Sequence, residues 1–137
     1  MEGVRATFSK RERLFSLRLI EMLFGQSASR SLAAFPLRVV YLLCERQDGE
    51  EPVQMLVSVP KKRFHHAVDR NRVKRQVREA YRLRKHALYE ALPEDRSLLL
   101  AFVWLSDRHL PTADVAARVG KLLGKLETTL LASPKNV

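Results

Sequence analysis

The chain has little of the material that most enzyme sites are built from. One cysteine, Cys44, among 137 residues excludes an internal disulfide and any cysteine-rich metal site, and it suits a reducing, cytoplasmic setting. Of the four histidines, His65, His66, His86 and His109, the pair His65-His66 sits in the basic loop with no Cys or carboxylate partner at metal-ligand spacing. Glycine is sparse, and neither G-x-x-x-x-G-K-[ST] nor G-x-G-x-x-G occurs, so no phosphate-cradling loop is available. The acidic pairs Glu50-Glu51 and Glu94-Asp95 fall in loop-like segments, and no cluster can be assembled that would hold two cations for a protein-side nuclease. No apolar run reaches membrane-spanning length, and no charged start with a small-residue cleavage site opens the chain. No repeat or low-complexity tract is present. These absences assign no catalytic residue, no metal site and no membrane; they leave a binding protein of one domain, 1–137, with loose ends at 1–6 and 133–137.

What the chain has is positive charge in one place. The chain carries a net +10, from 25 Lys and Arg against 15 Asp and Glu. The stretch Pro60 to His86 alone holds eleven of those cations against Asp69 and Glu79, a net +9, so everything outside it is close to neutral. Within it, Val73, Val77, Ala80, Tyr81, Ala87, Leu88 and Ala91 recur at three- and four-residue steps, which predicts one buried helical face. Asp69 is the predicted N-cap. With Val73 as zero, Lys74, Lys85, Arg78, Asn71, Arg82 and Arg75 fall between about 100° and 200° on the wheel. The predicted object is a core-anchored helix with a cationic ridge.

A solvated helix face ordinarily mixes its charges. Here Lys74/Arg78, Arg78/Arg82 and Arg82/Lys85 repel one another at i,i+3 and i,i+4, and Glu79 is the one acid available to relieve them. The ridge also favours Arg, whose planar fork matches phosphate. A polyanion is the economical partner. Three classes of partner satisfy that description: an RNA that is processed, an RNA bound structurally as by a ribosomal protein, and an acidic membrane surface.

Arg70-Asn71-Arg72-Val73-Lys74-Arg75-Gln76-Val77-Arg78-Glu79-Ala80-Tyr81-Arg82 closely resembles the signature R-N-R-x-K-R-x-x-R-E-x-[FY]-R of the bacterial ribonuclease P protein component. Val57-Ser58-Val59-Pro60-Lys61-Lys62 and Ala67-Val68 resemble the family's segments just upstream. The resemblance runs from about Thr7 to Glu127. It implies a protein subunit that binds a catalytic RNA and the 5′ leader of precursor tRNA and assists removal of that leader. The RNA would be the catalyst and would use Mg2+, with no cofactor on the protein and no further protein partner. Carried over by position, Arg70, Asn71, Arg72, Lys74, Arg75, Arg78 and Arg82 would contact the catalytic RNA, with Lys61, Lys62 and Arg63 beside them. Phe8, Lys10, Arg11, Phe24 and Tyr41 would line the leader's path. The sequence departs from the family at Pro60, Ile20 and Phe64-His65-His66, the last standing where Gly-Asn is usual.

Taken in order, Ser9 to Phe24 reads as a helix ended by Gly25. Gln26 to Ala34 reads as a flexible connection or short edge strand. Phe35 to Cys44 and Val53 to Val59 read as strands, joined by a polar, hairpin-type connection around Asp48-Gly49. Ser97 to Leu105 is a near-continuous apolar strand, and Thr112 to Leu131 a terminal helix. That order predicts an α+β two-layer sandwich with a small mixed central sheet. The general rule makes its βαβ crossover right-handed, whereas the resemblance implies the left-handed one.

Overall fold

An unbroken apolar run belongs where both faces of a strand are covered, and Ser97 to Leu105 finds that position. A computed structural model describes residues 21, 23–25, 29–46 and 51–132; the predicted loose ends and most of the predicted first helix lie outside them. The strands are β1 (Arg30–Ala34), β2 (Leu37–Glu45), β3 (Val53–Ser58) and β4 (Arg96–Trp104), and the long helices α1 (Ala67–Ala91) and α2 (Thr112–Ala132). The sheet order is β1-β2-β4-β3, antiparallel except for the parallel pair β3 and β4. β2 and β3 are therefore not a hairpin. β4 lies between them, pairing Val39 with Phe102 on one side and Val57 with Phe102 on the other.

Alternation along the strands divides the core in two. Leu37, Val39 and Tyr41 of β2, Val53, Met55 and Val57 of β3, and Leu98, Leu100, Phe102 and Trp104 of β4 pack beneath α1 and α2. Val73, Val77, Tyr81 and Leu88 of α1 meet them, with Tyr81 set edge-on to Phe102 at 6.5 Å between centroids. The opposite face contributes Val40, Leu42, Leu99 and Ala101, which are closed over by Leu23 from the helical residues 23–25. The result is a mixed α+β fold whose small sheet is packed by helices.

Residue chirality sets the hand of the crossover. In an L-peptide strand running upward with a side chain toward the observer, that residue's N–H points right. Leu98 turns its side chain to the α1/α2 face and donates its N–H to the Pro52 carbonyl at 2.8 Å, so β3 lies to the right of β4. The chain passes leftward from β3 through α1 to β4. This is the left-handed sense, against the general preference and in agreement with the resemblance.

Two details of α1 differ from the wheel. The helix starts at Ala67, with His66 as an N-cap that makes no side-chain capping bond. Asp69 is thus inside the first turn, where its charge complements the helix dipole, rather than at the cap. Lys85, placed on the ridge by its angle, is buried at 1% exposure, its Nζ 5.7 Å from the Tyr89 ring centroid. At about 120° it borders Tyr81 at about 80°, and an aliphatic stem follows such a neighbour into the core.

Candidate nucleic-acid interface

The buried stripe of α1 fixes which way its other side faces. Asn71, Arg72 and Arg75 are exposed, and Lys74, Arg78 and Arg82 half-buried, along the flank next to the β3 edge and the outward surface. Arg72, Lys74 and Arg75 make no hydrogen bond or ion pair with the described residues. Arg82 is partly engaged: its Nε donates to Glu79 Oε1 at 3.0 Å. That bond holds the Glu79 carboxyl below its usual range and raises Arg82. A helix anchored in the core thus presents Arg72, Lys74 and Arg75 with no counter-ion among the described residues. Phosphate is the group such a surface accommodates.

The loop before α1 adds to the surface unevenly. Lys61 and Lys62 are exposed in a turn closed by the Arg63 N–H on the Pro60 carbonyl at 2.9 Å. Arg63 is turned partly inward, its Nη1 3.4 Å from Asp107 Oδ1. Arg70 is turned inward as well: its Nη1 donates to the carbonyls of Phe64 at 2.9 Å and His65 at 2.8 Å. Two of the cations expected on RNA therefore hold the loop in place.

The chain matches the family model of ribonuclease P over residues 8–127. The ribonuclease P protein component of Porphyromonas gingivalis is 49% identical over 105 residues, 74% of each chain. Its counterpart from a second strain of that species is 48% identical over 103 residues, 72% of this chain and 71% of the relative. The chain belongs to the ribonuclease P protein family. The fold agrees: the ribonuclease P protein of Thermotoga maritima superposes with a TM-score of 0.60 at 22% identity, over 83% of this chain and 96% of that one. Family membership places the chain in tRNA 5′ processing, as the protein subunit beside a catalytic RNA, in a ribonucleoprotein enzyme.

Of the residues expected along the leader, the two that are described, Phe24 and Tyr41, lie on opposite faces of the sheet. Phe8, Lys10 and Arg11 lie outside the described residues. Phe24 is half exposed, on the segment that covers the second face of the sheet. Tyr41 is 8% exposed and packs on the other face, in the core beneath α1 and α2. Its place in the strand alternation, beside Leu37 and Val39, already carried that core position. What sequence reasoning passed over is Arg38. It stands exposed on the second face of a central strand, at the middle of a row formed by Ala33, Arg38, Val103 and Ser58 across all four strands. The signal was a charge at a strand position otherwise occupied by Val40 and Leu42. No group of three or more His, Cys, Asp or Glu is placed to hold a metal among the described residues, and no described helix is long and apolar enough to cross a membrane.

Proposed function

We propose that the exposed flank of α1, through Asn71, Arg72, Lys74, Arg75, Arg78 and Arg82 together with Lys61 and Lys62, docks on the catalytic RNA of ribonuclease P. On this reading the single-stranded 5′ leader of precursor tRNA runs over the second face of the sheet, past Phe24 and the open row at Arg38. An aromatic edge stacks on unpaired bases whatever their identity, and an arginine between short neighbours takes a phosphate, which suits a leader that differs between tRNAs. The supporting observation is that Arg72, Lys74 and Arg75, on one flank of a helix whose other flank is locked in the core, make no hydrogen bond or ion pair with the described residues. Arg63 and Arg70 act behind that surface, shaping the loop. The protein supplies binding and orientation, while the RNA and its Mg2+ supply the hydrolysis.

Reconstitution tests this. Protein, the cognate catalytic RNA and a precursor tRNA with a single-stranded leader are combined at low magnesium. Cleavage is expected with RNA plus protein, weakly with RNA alone and not with protein alone. Cleavage by the protein alone, or no effect of the protein on the RNA's reaction, overturns the proposal. Shortening the leader to one nucleotide is expected to remove the protein's contribution to substrate affinity; if the contribution persists, the leader path is wrong.

A further inference from the structure

The loop from Leu105 to Pro111, which joins β4 to α2, reaches across to the basic loop and to the first turns of α1. Asp107 meets Arg63, as described. The His109 ring stacks on Phe64, 4.5 Å between centroids and 13° from parallel. His109 Nε2 lies 3.0 Å from Asp69 Oδ1, and Gln76 Nε2 donates to the Leu110 carbonyl at 3.2 Å and to Thr112 Oγ1 at 3.1 Å. With Arg70 holding the carbonyls of Phe64 and His65 from the other side, the segment Pro60–His66 is clamped although it has no regular structure of its own. The first turn of α1, uncapped by His66, is held by the same contacts.

The imidazole makes two of these contacts, one to the loop and one to the helix. His109 Nδ1 is buried and without a hydrogen-bond partner among the described residues, and a donor buried without an acceptor is costly. A carboxylate only accepts, so it is the Nε2–H of the ring that donates to Asp69. One face of the ring is spent on Phe64. His109 thus ties together two residues that lie between the two groups of RNA-facing cations, one in the loop and one in the helix.

We propose that His109 is a positioning residue for docking on the catalytic RNA. It acts through Phe64 and Asp69, keeping Lys61 and Lys62 in a fixed relation to Arg72, Lys74 and Arg75 so that all of them meet phosphates at once. Cations on a loose loop lose that advantage, because ordering them is then paid at the moment of binding. The proposal rests on the docking reading above.

The test measures the affinity of the full chain for a transcript of its cognate ribonuclease P RNA over a series of monovalent salt concentrations, with circular dichroism as a check of fold. The slope of log affinity on log salt counts phosphates engaged. His109→Phe keeps a ring over Phe64 and removes only the donor. It is expected to retain the native spectrum, to bind about tenfold more weakly, and to show a slope shallower by roughly one phosphate. His109→Gln restores an N–H toward Asp69 and is expected to recover part of both. Phe64→Leu, which removes the stack without changing charge, is read by the same slope and keeps the test open if His109→Phe does not fold. A merely structural role lowers thermal stability and leaves the slope at its wild-type value, and that result overturns the proposal. Wild-type protein that fails to bind the transcript overturns the docking reading instead, so the two failures are distinguishable.

Discussion

Side chains of one type do different work on this helix. Arg72 and Arg75 project from α1 without partners among the described residues, whereas Arg70 is folded back onto two carbonyls of the preceding loop. Replacing Arg72 and Arg75 together with Ala is expected to leave thermal stability within about 0.5 kcal/mol of wild type, as surface changes usually do. The same pair should weaken binding to the catalytic RNA by about 1–3 kcal/mol, the scale of charge-assisted contacts. Arg70→Ala should act first on stability, because a part-buried carbonyl at Phe64 and an exposed one at His65 lose a charged donor: a loss of about 1–2 kcal/mol, read by denaturant unfolding, with RNA binding falling as the loop loosens. If Arg70→Ala unfolds like wild type, its bonds to the loop carry no weight.

At the level of elements, α1 is read through the two surfaces it buries. Val77 is fully buried among β-sheet side chains, so Val77→Asp places an unpaired charge in the core and should leave no cooperative unfolding transition at 25 °C. Where α1 meets α2, Gly120 and Gly124 face Arg84, which crosses them to reach Glu127 at 3.0 Å. A Cβ added at Gly124 would come no closer than 3.6 Å to the Arg84 guanidinium, an ordinary contact. Gly124→Ala should therefore stabilise the protein by about 0.5–1 kcal/mol, the helical penalty of glycine, seen as a higher denaturation midpoint. Periodicity made these elements legible. The predicted strand Val53–Val59 is observed at Val53–Ser58, the predicted Ser97–Leu105 at Arg96–Trp104, and the terminal helix starts at Thr112 as expected. Of the two readings open for Gln26 to Ala34, a flexible connection or a short edge strand, Arg30–Ala34 takes the second. Partnership was legible only in part. The βαβ unit put β3 and β4 parallel, but β2 pairing with β4 instead of β3, and His109 lying on Phe64 and Asp69, are contacts between segments 40 to 67 residues apart. Lys85 was misplaced because a wheel angle near the stripe's border says nothing of how far a long stem can bend inward.

For the molecule as a whole, the question is whether RNA senses its total charge or the place where that charge is held. A net +10 raises the encounter rate with any polyanion, and a protein that bound through its general field would lose similar affinity wherever two cations were removed. The fold instead concentrates its excess in one region: α1 and the loop before it carry nearly all of it, while α2 presents Lys121 and Lys125 as exposed cations on a different helix. Two double variants with the same change in net charge separate these alternatives. Arg72→Ala with Arg75→Ala removes two cations expected to sit on phosphates, and the slope of log affinity on log salt should become shallower by roughly two contacts. Lys121→Ala with Lys125→Ala should lower the association rate slightly at low salt and leave the slope unchanged, because those charges stand on α2 and not on the flank of α1 proposed to dock. Equal flattening by the two pairs, measured by filter binding between 50 and 200 mM salt with each variant's fold checked by circular dichroism, would mean that RNA is held by diffuse charge and that the α1 flank has no privileged role.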